Sequence, residues 1–511
     1  MDFLQYDLRQ KSFTKVYFVG IKGVGMTALA CMVQDAGLKV RGSDVAEEFL
    51  TDDTLKKRGI QVDTSFATSF LDEFIDGNRE DVLVVTTAAH DGLSNPQSSH
   101  AQSLGVAVLT HGQTVGYFMK GDMFGRKFKG VSVLGCHGKT TVSAMAATAL
   151  LTAGMDPSYC VGSSELFPIG SPGHLGKGEY FVAEADEFVS DVQKDRTIKF
   201  FYQHPQYAIF NNVDFDHPDV YKSLDEVKRA FFIFALENIQ QDGALILNGD
   251  DPELQNIKSQ LENIKPGLKI VTFGEESLNM FKIENFREVS WGSEFDVSQN
   301  GSSFGHFQLS VPGYHNAKNA LGVLAFMHTI KVSKDVIGQA LASFTGTKRR
   351  QERLGQTEKG ATLIDDYAHH PQEIQKTITA VKTAFPDKKI ITVFQPHTIS
   401  RTQSLRDEFI RAFTGSENVL FLPIFPSKRE GEEDYSQLYA YIEKGMQEAG
   451  QPVVFFKDSR TAAEKVSSPY FFQKNRQDVL EYVKENFDRP ENVLLFLGAG
   501  DLYKLAYDLK K

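Results

Sequence analysis

Short apolar runs alternate with longer stretches whose apolar positions recur every three or four residues, and this rhythm persists along most of the chain. The short runs read as buried strands and the longer stretches as amphipathic helices. Their alternation predicts an α/β fold built on mainly parallel sheets. The pattern restarts three times. "KVYFVGIKGVGMTALACMVQDAG" (15–37) reads as strand, glycine loop and helix, followed by the strand "DVLVVTTAA" (81–89). "GVSVLGCHGKTTVSAMAATALLTAG" (130–154) opens the second unit, after the basic stretch "KGDMFGRKFK" (120–129). The third opens near "FTGTKRRQERLG" (344–355) and continues in the strands "ATLIDDYA", "KIITVFQP" and "ENVLLFLGAGD". These restarts predict domains over 1–122, 123–344 and 345–511. No fixed-period repeat or low-complexity tract breaks the pattern.

Composition narrows the class. The chain has 511 residues, 41% hydrophobic and 24% charged, which suits a soluble globular protein with several cores. A net charge of -11 argues against a nucleic-acid partner. No apolar run reaches the ~18 residues that span a bilayer, and the start "MDFLQYDLRQKSF" lacks the layout of a secretory signal. Cys31, Cys136 and Cys160 have neither CxxC spacing nor an even number, so a disulfide framework or a zinc site is not indicated. A cytoplasmic protein is expected.

Two glycine loops carry the candidate chemistry. In Gly20-Ile-Lys-Gly23-Val-Gly25 the glycines fall at the first, fourth and sixth positions, whereas a dinucleotide fingerprint needs the first, third and sixth. Amides at a helix start can still contact a diphosphate, and Ser43 and Asp44 follow where an acid can reach a ribose or base. A merely structural tight turn is the alternative. The second loop, Gly135-Cys136-His137-Gly138-Lys139-Thr140-Thr141, is a GxxGKTT form of the phosphate loop, with Val133 where a standard loop has glycine. Its amides and Lys139 suit β- and γ-phosphates, and the Thr140 hydroxyl suits Mg²⁺. Downstream, "EYFVAEADE" (179–187) and "YAIFNNVDFDHPDVY" (207–221) are apolar strands running into acids, with Glu184, Asp214, Asp216 and His217 at their ends. Hard oxygen ligands fit Mg²⁺, and Glu184 is the best placed. A single carboxylate there can equally be a solvated strand end.

With these residues in view, the chain resembles the Mur ligases, the ATP-dependent amide-forming enzymes of bacterial peptidoglycan synthesis. The matching segments run in the family's order: "FVGIKGVGMTALA", "GCHGKTT", "VAEADE", "NNVDFDHPD", "VPGYHNAKNALG", "GTKRRQE", "DDYAHHPQEI", "FQPHTISRT" and "LGAGDLYKLA". The resemblance implies a Rossmann-like first domain for a UDP-sugar, a central ATP-binding domain, and a Rossmann-like third domain for the incoming amine. It implies UDP-sugar contacts at Gly23, Val24, Gly25, Ser43, Asp44 and Thr87. It places ATP on the phosphate loop and on His315, Asn316, Asn319 and Asp366, with Arg350 or Arg349 reaching the γ-phosphate. Thr140 and Glu184 would hold one Mg²⁺ and His217 a second. Tyr367, His370, His397 and Arg401 would surround the amino acid. The substrates implied are UDP-N-acetylmuramate, whose carboxylate becomes an acyl phosphate, and L-alanine.

Some residues depart from the family's pattern. Cys136 stands where threonine is usual and Lys22 where glycine is usual. "EADEFVSDVQKDRTIKF" is closer to the related ligase that attaches a whole tripeptide, whereas the C-terminal motifs favour L-alanine. Cys136, at a helix start beside Lys139, is expected to be a reactive thiol, a buried inert thiol being the alternative. The pair His369–His370 has a bland reading as a helix start. Outside the family, a nucleotide switch leaves the third-domain motifs unexplained, and an oxidoreductase leaves Lys139 without a purpose.

Overall fold

The computed structural model of the chain describes residues 8, 12–215, 217–218, 220–289, 291–425, 435–456 and 470–510. It separates into two compact units: Met1–Asn285 with Phe295–Leu309 and Lys318–Lys348, and Phe286–Glu294 with Ser310–Ala317 and Arg349–Lys511. The stretches 286–294 and 310–317, which the sequence pattern left inside the central domain, thus group with the second unit.

The first unit carries two large sheets. Strands β1 (Lys15–Val19), β2 (Lys39–Ser43), β3 (Gln61–Asp63), β4 (Val82–Thr86) and β5 (Ala107–Thr110) form a parallel sheet in the order β3-β2-β1-β4-β5. The order reverses direction at β1, so the glycine loop that follows β1 lies at a switch point, where open α/β sheets bind ligands. All five residues of β4 are buried, which is why it reads as an unbroken apolar run.

The second sheet comprises β6 (Lys129–Leu134), β7 (Ser158–Cys160), β9 (Gly173–His174), β10 (Tyr180–Glu184), β13 (Tyr207–Phe210), β14 (Ala244–Asn248), β15 (Lys269–Gly274), β16 (Phe281–Glu288), β17 (Ser293–Gln299) and β18 (Ser302–Leu309), in the order β18-β17-β16-β15-β14-β13-β6-β10-β7-β9. Its centre is parallel: β6 pairs with β10 on one side and β13 on the other. Two small ribbons complete the unit, β8 (Leu166–Phe167) with β19 (Gly346–Thr347) and β11 (Val189–Asp191) with β12 (Asp195–Ile198).

The helix Val24–Asp35 ties the two sheets together. Its Ala28, Leu29 and Met32 share one apolar cluster with Cys160 of β7 and with Phe181 and Ala183 of β10. At β9 the approach is so close that a Cβ on Gly173 would lie 1.9 Å from the Ala28 carbonyl oxygen.

In the second unit β20 (Glu352–Gln356), β21 (Thr362–Asp366), β22 (Lys389–Phe394), β23 (Asn418–Phe421), β24 (Val453–Phe455) and β25 (Asn492–Leu497) form a sheet in the order β20-β21-β25-β22-β23-β24. All its pairings are parallel except β20 with β21. The α/β layering on parallel sheets expected from the sequence is the observed architecture. Among the described residues no helix is long and apolar enough to cross a membrane.

The Gly173 contact can be tested directly. Gly173→Ala should lower stability by about 1–3 kcal/mol, the usual cost of forcing atoms into a packed contact. Gly267→Ala, with nothing within 4 Å of the added carbon, should be close to neutral. Urea unfolding of both variants measures the difference.

Candidate active site

The phosphate loop is built at the carboxyl end of β6 and feeds the helix Lys139–Thr152. Gly138 turns the chain at φ +82°, and a Cβ there would lie 2.6 Å from the Asn211 side-chain nitrogen, so both conformation and space demand glycine. Two asparagines past β13 fix the loop. Asn211 and Asn212 each donate an amide hydrogen to the His137 carbonyl, at 3.1 and 2.9 Å, and Asn212 Oδ1 accepts from the His137 amide at 2.9 Å. Asn211 also donates to Asn319 Oδ1 at 2.9 Å, tying the helix Tyr314–Thr329 to the loop. Cys136 is buried, and its sulfur donates to the Asp214 carbonyl at 3.0 Å and accepts from the Asp214 amide at 3.2 Å. The thiol is thus buried and hydrogen-bonded, as the alternative reading of an inert thiol has it. His137 lies 3.4 Å from the Asp214 carboxylate.

Residues expected to hold a metal meet here. Thr140 Oγ1 donates to Glu184 Oε2 at 3.2 Å, and Glu184 Oε1 accepts from the Gly162 amide at 2.6 Å. Glu184 ends β10, beside β6, so neighbouring parallel strands deliver hydroxyl and carboxylate to one place. His217, at φ +57°, is 3.6 Å from the carboxylate of Glu187, a residue the sequence reading passed over. Asp216 lies outside the described residues. Lys139 points at Glu187 as well, 2.9 and 2.7 Å from its two oxygens. Burial alone would lower the Lys139 pKa, but Glu187 and Asp186 hold it above the ordinary ammonium range. Asp186 is held below the carboxylate range: burial opposes this, but Lys199, 2.6 Å away, and Lys139 outweigh it.

At the first loop, Val24 starts the helix behind Gly23 and is 40% exposed. Thr87 follows β4, and its amide donates to the Val19 carbonyl. Asp44 is buried and accepts from the Lys22 and Val45 amides, both at 2.8 Å. Ser43 is buried against Gln97, so its hydroxyl is committed within the fold. His111, missed by the sequence reading, packs on Gly25. Burial, helped by Lys199, pushes its pKa down to about 4, so the imidazole is neutral near pH 7. Lys22 reaches away from the loop to the Glu47 carbonyl at 2.7 Å and to Asp52 at 3.3 Å.

In the second unit the two arginines separate. Arg349 is buried, bonded to Asp365 at 3.0 Å and to the carbonyls of Gly498 and Gly500. It is a structural anchor, its donors committed within the fold. Arg350 lies over the Tyr367 ring at 5.1 Å. Asp366 ends β21 and accepts from the Ala368 amide and the Thr377 hydroxyl, both at 2.9 Å; burial raises its pKa against the pull of Arg350. His370 stands at the start of the helix Pro371–Ala384, where its ring accepts from the Gln372 amide at 3.4 Å. His369 contacts the rings of Tyr367 and His397, at 5.4 and 6.1 Å. Arg401 lies in the helix Ile399–Ser404, which begins just past His397. Asn316 is locked by the Pro312 carbonyl at 2.7 Å and by Gln351 at 3.0 Å, with His315 3.4 Å from the same Gln351.

Family models match the chain in three places: "Mur ligase family, catalytic domain" over 15–122, "Mur ligase middle domain" over 133–327 and "Mur ligase, glutamate ligase domain" over 349–500. The UDP-N-acetylmuramate–L-alanine ligase of Desulfitobacterium hafniense is 34% identical over 495 residues, 97% of this chain and 99% of that one. The chain belongs to the Mur ligase family. The same-named protein of Acetivibrio thermocellus is 33% identical to this Mur ligase over 504 residues, covering 98% of this chain and 96% of that one. Among solved structures, the UDP-N-acetylmuramate–alanine ligase of Thermotoga maritima superposes with a TM-score of 0.73 at 25% identity, covering 97% of this Mur ligase and 98% of that chain. A murein peptide ligase from Psychrobacter arcticus, at 21% identity and TM-score 0.68 over 97% of this chain and 98% of that one, shares the fold.

His315 offers a pH test of the second unit's interior. Burial, with Lys376 adding, pushes its pKa down to about 4 from an ordinary 6.5. Between those values the unfolded chain binds the extra proton, so this side chain favours the folded state fully above pH 6.5 and progressively less as pH falls toward 4. In urea titrations at about pH 7 and about pH 5, His315→Asn should lose less stability on acidification than wild type.

Proposed function

We propose that this Mur ligase joins L-alanine to the muramyl carboxylate of UDP-N-acetylmuramate, using ATP and Mg²⁺. The observation that carries the reading is the phosphate loop with Thr140 on Glu184 at 3.2 Å, in a chain 34% identical along nearly its whole length to a ligase of that name. Residues 1–122 take the UDP-sugar, 123–344 the nucleotide triphosphate and 345–511 the amino acid. A cytoplasmic location, where ATP is available, fits this reading.

The obstacle in such a reaction is negative charge. A carboxylate must approach a triphosphate, and each step gathers anionic oxygens in one place. The loop answers with amides at a helix start, whose dipole favours anions, and with the Lys139 ammonium, placed to stabilise the transferring phosphoryl group. Thr140 and Glu184 supply hard oxygen donors 3.2 Å apart, a set that suits Mg²⁺. Bound there, Mg²⁺ would offset phosphate charge and orient the γ-phosphate for in-line attack. His217 is a candidate for a second ion. Gly135–Thr141, with His315, Asn316, Asn319 and Asp366, are assigned to ATP, and Arg350 to the γ-phosphate.

On the sugar side, Gly23, Val24 and Gly25 present helix-start amides to the diphosphate. Asp44 and Thr87 line the carboxyl ends of β2 and β4 beside them, while Ser43 contributes through the backbone it holds. Tyr367, His370, His397 and Arg401 are assigned to the amine substrate. L-Alanine offers only an ammonium, a methyl group and a carboxylate, so its selection needs a fixed cationic partner for the carboxylate. The planar guanidinium of Arg401 can make two parallel bonds to it.

Phosphate release should require ATP, UDP-N-acetylmuramate and an amine together. Lys139→Ala should reduce that release by at least about a thousandfold, several kcal/mol of transition-state stabilisation, while UDP-sugar binding measured by calorimetry persists. Near-normal turnover would remove the ATP assignment.

Arg401→Lys should raise the KM for L-alanine by about tenfold or more and leave UDP-sugar affinity unchanged, because lysine keeps the charge and loses the bidentate match. The measurement is kcat/KM for L-alanine, L-serine, glycine and L-alanyl-γ-D-glutamyl-diaminopimelate. A wild-type preference for the tripeptide would transfer the enzyme to the recycling reaction.

A further inference from the structure

Lys139 has three N–H donors, and each has a partner in the protein. One goes to the Gly135 carbonyl at 2.7 Å and two go to the Glu187 carboxylate, at 2.9 Å from Oε1 and 2.7 Å from Oε2. Glu187 is only 2% exposed. Its own carbonyl accepts from the buried Tyr221 hydroxyl at 2.7 Å, which pins the backbone under the carboxylate. The neighbouring acid, Asp186, has a lysine of its own in Lys199 at 2.6 Å. Lys139 is therefore the nearest cation to the Glu187 carboxylate, with the His217 ring next at 3.6 Å.

Stability does not account for this arrangement, because a buried ion pair is roughly break-even against apolar packing. Its consequence for ligands is larger. A phosphate oxygen can reach Lys139 only by displacing Glu187 or the Gly135 carbonyl, so nucleotide and carboxylate compete for the same donors. His217, 3.6 Å from Oε1, gives the displaced carboxylate a second neighbour to turn toward.

We propose that Glu187 is a positioning residue that latches the phosphate-loop lysine: it competes with nucleotide phosphates for Lys139, and its release is a step of nucleotide binding. The latch keeps the loop's affinity for a lone nucleotide low. The inference rests on the assignment of ATP to this loop.

The test is ATP affinity by calorimetry on the full chain, for wild type, Glu187→Gln, Lys139→Ala and the double variant, with magnesium and again with EDTA. Glu187→Gln should bind ATP about tenfold tighter, a change of about 1.4 kcal/mol, in both buffers. The tightening should vanish in the Lys139→Ala background, which separates competition for the ammonium from simple relief of charge repulsion. Unchanged or weaker binding by Glu187→Gln, with wild-type binding still dependent on Lys139, overturns the latch and spares the ATP assignment. Equal ATP binding by wild type and Lys139→Ala overturns both. If Glu187→Gln melts below the assay temperature, Glu187→Asp, which draws the carboxylate back by one methylene, should tighten binding by about twofold to threefold. No tightening there overturns the latch as well.

Discussion

The shape of the phosphate loop hangs on one backbone carbonyl. The phosphate loop must leave β6, turn through Gly138 and enter the helix Lys139–Thr152, and an isolated loop of that length has no reason to hold such a shape. Two adjacent asparagines supply the reason by converging on His137 O while one also accepts from His137 N. The clamp works because β13 lies directly beside β6 in register, with Phe210 opposite Leu134, so the residues leaving both strands emerge side by side. A change in β13 that shifted its register by one residue would turn the asparagines away and leave the loop unsupported.

The same geometry recurs across the chain. Parallel strands deliver every carboxyl end to one edge of a sheet, and the candidate groups lie at those edges: the Gly20–Gly25 loop after β1, Thr87 after β4, Glu184 at the end of β10, and Asp366 at the end of β21. The strands that lead into these groups, β1, β4, β10 and β21, are buried along nearly their whole length. In β1, β4 and β10 the charged side chains are confined to the strand ends, where the chain enters or leaves the sheet.

This division explains what could be read from the sequence. Strand–loop–helix units are marked by apolar runs broken at glycines, so β1, β6 and the helices that follow them are legible as segments. The meeting of Thr140 with Glu184 is legible too, since each ends a recognisable segment and only adjacency of β6 and β10 is needed. The partner of Lys139 was not. Glu184, Asp186 and Glu187 crowd one strand exit, and nothing in their order says which carboxylate turns toward which cation. His111 escaped for another reason: its contact with Gly25 is made across the sheet and leaves no local signal. Asn211 and Asn212 look like ordinary strand-end polar residues until the neighbouring strand is known. For Cys136 the helix-start position points to reactivity, whereas its burial and its bonds to the Asp214 backbone depend on a strand exit that its own segment does not show.

Arg349 and Arg350 show how far adjacency in sequence can mislead about role. Both are long cations in one motif, and composition gives no ground for preferring either as a phosphate ligand. Arg349 adopts φ +60° and is 4% exposed, so it enters the fold where Asp365 and the carbonyls of the Gly498–Gly500 turn absorb its donors. Its burial is affordable only because each of those groups is present. Even so, Asp365 remains starved of water: burial, opposed by Arg349, pushes its pKa up to about 6. Removing Arg349 would leave that carboxyl without its cation in a dry interior, where it would take up a proton instead. The chain thus commits one arginine to building the edge of the third sheet, while its neighbour Arg350 lies over the Tyr367 ring instead.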